Sequence, residues 1–352
     1  MKKKIVTVLK ILIAYILLPI TGVCIYIFVS ENHKLDELYA KKDYLSKDSL
    51  TMFWHVANMN KHFDFEEYSP EGFNKRTNNL GFVKNRNTKI DKDSLVRVII
   101  TGDSHTDGVL PDDKTFPNIM EDSLNLNLNL NLNLSLNLSS KYEFLNAGMG
   151  NFTFKNYFGV LKKFLYLKPD IFIVNVYTGN DFIENIFYEN KNGEFFNTLK
   201  TFWARLKWKY FEKYMNNSQS LAQAVYFKTY PERINESIEL TSVYVDSMAS
   251  LCKKNNIRFY ISFLPTSVDV ENRYLDNIIS KGKYSLQDIF VAQDIKQRLI
   301  SQFSQKDITS IDLLPEMKKH NADSLYYKTD DHINAAGHIA VARILLDSIF
   351  RK

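Results

Sequence analysis

Five positions in this 352-residue chain carry groups that could cooperate in group transfer: Ser104, Gly150, Asn180, Asp330 and His332. A serine hydroxyl is a weak nucleophile until a base takes its proton. His332 is the candidate base. Asp330, two residues earlier, is the carboxylate that would orient the second imidazole nitrogen. Attack on an ester carbonyl builds an oxyanion that needs two or three fixed donors. The backbone N–H groups of Ser104 and Gly150 and the side-chain amide of Asn180 could supply them. The chemistry that needs this set is acyl transfer through a serine. Taken singly each residue is ordinary, because Gly-Asp-Ser turns are common in loops and a histidine ahead of a helix is usually structural. Their weight comes from where the chain would place them together.

Residues 96–101 are an apolar, β-branched run that stops at Gly102-Asp103-Ser104. A strand ending in a tight glycine-containing turn is where α/β folds present reactive side chains. Residues 142–145 read as a short strand followed by Asn146-Ala147-Gly148-Met149-Gly150-Asn151, whose glycines permit close backbone approach. The run 170–176 is nearly continuous in apolar residues, as in a strand covered on both faces, and it ends at Gly179-Asn180-Asp181. Two more strands are expected at 257–263 and 307–313. Helical spacing marks 116–124, 153–167, 234–254 and 284–303. A last helix over 335–350 starts at or near Asn334. Alternation of strand and helix predicts a parallel sheet with helices on both faces. In such a sheet the loops after the strands share one edge, which would bring the five positions together.

With those blocks in view, the chain resembles the SGNH (GDSL-type) hydrolase superfamily. The resemblance rests on Gly102-Asp103-Ser104, the glycine block at 146–151, Gly179-Asn180-Asp181, and Asp330-x-His332 followed by Asn334 and Gly337-His338. It covers residue 96 to the end, with 78–82 as an upstream element. It implies a three-layer α/β/α sandwich with a mostly parallel, flavodoxin-like sheet, and a serine esterase, lipase or acyltransferase without metal or cofactor. Ser104 would be the nucleophile, His332 the base, Asp330 its partner, and Gly150 and Asn180 the oxyanion donors, with Gly148 an alternative to Gly150. The usual family spacing is Asp-x-x-His, and Thr329 stands at that position here. Asp-x-His is similar to the branch that O-acetylates exported polysaccharides. Asp331 is a poorer substitute, being adjacent to His332. Asp103, His105 and Asp181 are expected to bond the turns they sit in, and His338 to pack its helix.

The rest of the chain frames this core. Residues 11–29 carry no charge and follow Lys2, Lys3, Lys4 and Lys10. Nineteen helical residues span roughly 28 Å, about one hydrocarbon core. The lysines place the N-terminus in the cytoplasm, so an uncleaved single-pass anchor would leave the remainder extracytoplasmic; a cleaved signal peptide is the competing reading, with no Ala-x-Ala site after the apolar run. The expected divisions are a transmembrane anchor at 1–30, a juxtamembrane helix or linker with an N-terminal extension at 31–92, and a catalytic domain at 93–352. Two insertions interrupt that domain. At 124–138 Leu alternates with Asn or Ser, a low-complexity segment. At 182–232 aromatics from Phe195 to Tyr214 interleave with lysines and Arg205, as in a packed helix, a lid or a membrane-facing surface. A net charge of +5 is too small to argue for nucleic acid. The two cysteines, Cys24 and Cys252, have no metal-ligand spacing. The expected partners are an acyl ester, on polysaccharide or lipid, and the membrane.

Overall fold

The structure, a computed structural model, describes residues 42–126, 141–189, 219–271 and 284–350, with scattered residues between Tyr15 and Tyr26. The polar stretch expected as helix or linker instead forms two antiparallel hairpins from residue 45 onward. β1 (Leu45–Asp48) pairs with β2 (Met52–His55), and β3 (Asn60–Phe63) with β4 (Phe73–Arg76). Each strand is four residues long, too short for its period of two to stand out from a loop. What anchors them is aromatic. Phe53, Trp54 and Phe73 are buried, and Trp54 donates its indole N–H to the Leu80 carbonyl at 2.8 Å. Asn78 is also buried, and its Oδ1 accepts the N–H groups of Leu80 and Phe82, closing the turn that seats Phe82 in the core.

The central sheet has five parallel strands: β5 (Val96–Gly102), β6 (Tyr142–Gly148), β7 (Ile171–Tyr177), β8 (Arg258–Leu264) and β9 (Thr309–Asp312). Their spatial order is β6-β5-β7-β8-β9, the flavodoxin-like arrangement in which order reverses beside the first sheet strand. Side-chain alternation sorts the core into two layers. Ile99, Leu145, Phe172, Val174 and Phe263 face one side. There they meet α3 (Phe154–Phe164), α6 (Arg233–Lys254) and α7 (Val291–Ser304), together with Phe53, Trp54 and Phe82. Val98, Ile100, Phe144, Ile171 and Ile173 face the other side, against α2 (Phe116–Leu126) and α8 (Ala335–Phe350). The result is an α/β/α sandwich. The helix expected at 284–303 breaks at Phe290, after a short turn over Leu286–Ile289.

Because both faces are apolar, hydrophobic pattern alone does not fix the strand register. Two glycines do. Gly102 pairs with Gly148 at the C-terminal ends of β5 and β6. A Cβ on Gly102 would lie 2.1 Å from Thr106 Oγ1 and 2.5 Å from the Asn175 carbonyl; one on Gly148 would lie 2.2 Å from the Asp107 nitrogen. The short helix α1 (Ser104–Asp107) lies directly across these strand ends.

Three expected features fall mainly outside the described residues. Of the Leu-Asn segment only Leu124, Asn125 and Leu126 are described. They end α2, and the Asn125 amide bonds the Tyr142 N–H and carbonyl. Of the aromatic–basic insertion, α4 (Asp181–Glu189) and α5 (Gln219–Thr229) are described, and Phe195 to Tyr214 are not. Most of the expected anchor at 1–30 also lies outside. Among the described residues, no helix is long and apolar enough to cross a membrane.

Candidate active site

Ser104 is the first residue of α1, one residue beyond Gly102-Asp103 at the end of β5. The Asp103 side chain caps this helix by accepting the His105 N–H at 2.9 Å. Gly108 ends it at φ +82°, a conformation glycine adopts without strain. The turn is tied to both neighbouring strands. Asn146 of β6 donates to the Thr106 carbonyl (2.9 Å), and Asn175 of β7 donates to Thr106 Oγ1 (3.1 Å). Ser104 therefore stands on a short, fixed turn at the sheet edge.

His332 arrives from the other end of the chain. Tyr326 and Ile333 form a β-bridge, and the Tyr327 N–H donates to the His332 carbonyl at 3.0 Å. Asn334 fixes the descent into α8 by donating to the Tyr326 carbonyl and accepting the Gly337 N–H. His332 Nε2 lies 2.7 Å from Ser104 Oγ, and its Nδ1 is hydrogen-bonded to Asp330 Oδ1. The same carboxylate oxygen accepts the His332 backbone N–H at 2.8 Å. Burial disfavours the charged imidazole, but the bond and charge of Asp330, with Asp103 and Asp331 nearby, outweigh it and raise the His332 pKa above the ordinary value. Asp330 responds in the opposite direction. Burial pushes its pKa up, and His332 pulls it below the carboxylate range. The pair thus favours a carboxylate facing an imidazole ready to accept a proton.

The two glycines of the block have different surroundings. The Gly148 N–H, inside β6, donates to Asn146 Oδ1 at 2.9 Å. Gly150 lies in the turn closed by the Phe152 N–H on the Met149 carbonyl, with Asn151 at φ +64°. A Cβ on Gly150 would meet Ser104 Cβ at 3.8 Å, so this residue borders the hydroxyl. Asn180 follows β7, the strand on the other side of β5, and its carbonyl accepts the Ile183 and Glu184 N–H groups that open α4. Ser104, Gly150, Asn180, Asp330 and His332 are all half-buried.

Behind them is a buried polar tier that the sequence did not distinguish from turn chemistry. The His105 ring stacks between Tyr177 (3.7 Å between centroids) and His332 (4.6 Å). Its Nδ1 accepts the Ile333 N–H at 3.4 Å, and burial drives its pKa well below normal, so it packs as a neutral ring behind His332. Burial raises Asp103 to about 7, against the opposing pull of His332. Burial and the Asp103 charge push Asp181 well above the carboxylate range; its Oδ2 accepts the Tyr157 hydroxyl and the Tyr177 N–H. His338 packs as expected, its Nδ1 accepting the Phe116 N–H at 3.2 Å. Sequence reasoning missed a second group of residues, contributed by the hairpins. Asp107 is held by Lys75 Nζ (3.0 Å) and His55 Nε2 (3.1 Å), and Lys75 also donates to the Gly108 carbonyl at 2.5 Å. Burial opposes ionisation of Asp107, but the charges of Lys75 and His55 bring it to about 2. Among the described residues no cluster of metal-ligating side chains occurs.

No family profile and no curated protein matches the chain. Solved structures do. The chain is similar to a GDSL-like lipase from Bacteroides thetaiotaomicron at 13% identity, covering 72% of this chain and 88% of that one with a TM-score of 0.40. It is similar to a catalytic mutant of an acetylxylan esterase from Geobacillus stearothermophilus at 11% identity, over 74% and 98% of the two chains, TM-score 0.42. A member of the lipolytic G-D-S-L family from Veillonella parvula matches at 14% identity over 73% and 99%, TM-score 0.37.

Proposed function

We propose that this chain is a serine hydrolase or acyltransferase of the SGNH type that acts on short acyl esters. One observation carries the reading: Ser104 Oγ lies 2.7 Å from His332 Nε2 while Asp330 holds Nδ1. His332 takes the Ser104 proton as Oγ bonds to the ester carbonyl carbon. The carbonyl oxygen becomes an oxyanion, and the N–H groups of Ser104 and Gly150 and the Asn180 amide stabilise it. When the tetrahedral intermediate collapses, the alkoxide leaves and takes the proton from His332, leaving an acyl group on Ser104. A water molecule or a sugar hydroxyl then gives its proton to His332 and attacks the acyl carbon. The acid or new ester departs and the proton returns to Ser104.

The apolar run 11–29 after its lysines supports a membrane anchor with the catalytic domain on the extracytoplasmic side. The Asp-x-His spacing supports acetyl groups on cell-envelope glycans as the substrate class. Ser104→Ala in the full chain should lower hydrolysis of p-nitrophenyl acetate by at least about 10⁴-fold. A variant that keeps the wild-type rate overturns the assignment. Lipid esters are the rival substrates: a preference for long-chain lipid esters over acetylated glycans in the same assay would reverse the substrate class and leave the mechanism intact.

A further inference from the structure

The loop that carries Asp330 and His332 is held from outside the sheet. Glu67 lies between β3 and β4, and its carboxylate accepts three successive backbone N–H groups of that loop. Oε1 takes Lys328 (3.1 Å) and Thr329 (2.9 Å), and Oε2 takes Asp330 (3.1 Å). Two residues earlier, Phe65 sets its ring edge-on to Tyr327 at 5.0 Å. Three successive N–H groups turned one way form a concave anion seat. Here a carboxylate from some 260 residues away in sequence fills it.

We infer that Glu67 is a positioning residue for the acyl transfer proposed above: it fixes the 328–330 backbone so that Asp330 meets His332 Nδ1 and Nε2 points at Ser104. The inference rests on that reading of the site. The Glu67 carboxylate bonds the 328–330 backbone rather than Ser104 or the His332 ring. Its action passes through Asp330, whose own N–H it holds. Displacing a reacting group by about 1 Å costs up to roughly 100-fold in rate. The same hairpins hold the nucleophile turn through Lys75 and His55 on Asp107, so both halves of the site are referenced to one unit.

The test uses the full chain and p-nitrophenyl acetate between about pH 5 and 9, with kcat counted per active site titrated by the acyl burst. Glu67→Gln keeps the shape but turns an amide donor toward N–H donors. It should lower kcat roughly 10- to 100-fold with KM nearly unchanged, and move the acid limb of the pH profile to lower pH as Asp330 loosens its hold on His332. Glu67→Asp, which keeps the charge and falls one methylene short, should show a smaller loss in the same direction. In Glu67→Ala, added formate should restore part of kcat, because Glu67 lines an open cleft of about 430 Å³ that a small carboxylate can enter. Wild-type kcat per site and an unmoved pH profile in all three variants, with Ser104→Ala inactive, overturn the role of Glu67. So does a lowered melting transition with kcat per site unchanged. If Ser104→Ala stays active, the acyl-transfer reading fails and takes this inference with it.

Discussion

His332 feels two carboxyl groups of opposite tendency. Asp330 is depressed and charged, while burial raises Asp103 to about 7. A base must be neutral to accept a proton, so kcat/KM should fall as pH drops through the His332 pKa. That acid limb is expected above the ordinary imidazole value of about 6.5. Asp330→Asn removes the charge that raises the imidazole and disturbs its tautomer. The limb should move down, and kcat should fall on the order of 10³- to 10⁴-fold in a pH-rate series. Asp103 gives a prediction about stability. Its folded pKa exceeds its unfolded value near 3.8, so the folded state holds the extra proton between about pH 4 and 7. Stability should therefore decline as pH rises through that window. Asp103→Asn can still cap α1 and removes this dependence. Its free energy of unfolding should gain on wild type at pH 8 relative to pH 5, by an amount on the order of a few kcal/mol. An equal offset at both pH values would contradict the buried-acid account.

Strands and turns made the site partly legible in advance. β5 and β7 are legible as largely apolar runs leading to a glycine-containing turn, because strands covered on both faces favour apolar residues at most positions. β6 runs three residues beyond the expected 142–145. Asn146-Ala147-Gly148 looks like a loop, yet it is strand, and the glycine is there because α1 packs against it. Arg97 was equally unreadable. It sits inside the β5 run, fully buried, with its guanidinium on Glu143 and the Lys89, Ile90 and Leu167 carbonyls. The glycines yield a contrast. Gly102→Ala and Gly148→Ala should cost several kcal/mol, roughly 3 or more, in chemical denaturation, because their Cβ atoms would strike fixed groups at 2.1–2.5 Å. Gly150→Ala should fold normally, since its Cβ meets only Ser104 Cβ at 3.8 Å, and should alter turnover instead.

At the scale of the whole molecule, the two hairpins pack onto the sheet and bond the loops around Ser104 and His332. They bury Phe53 and Trp54 beneath the sheet, hold Asp107 through Lys75 and His55, and hold the 328–330 loop through Glu67. None of this could be read from the sequence. Contacts between residues 67 and 330 leave no local period, and a carboxylate bonded to backbone N–H groups imposes no residue type on its partner. A chain beginning at Lys42 should keep kcat/KM within about 2-fold of the full chain, whereas one beginning at Asp93 should be inactive and melt without cooperativity. Trp54→Ala should cost about 3–5 kcal/mol. In cell fractionation, the full chain should sediment with membranes and the chain from Lys42 should not.

The most direct measurement is to expose the full chain to a fluorophosphonate and map the adduct by peptide mass spectrometry. The account predicts one stoichiometric phosphonyl group on Ser104, lost in His332→Ala. A folded chain that takes no label, or takes it on another serine, contradicts it.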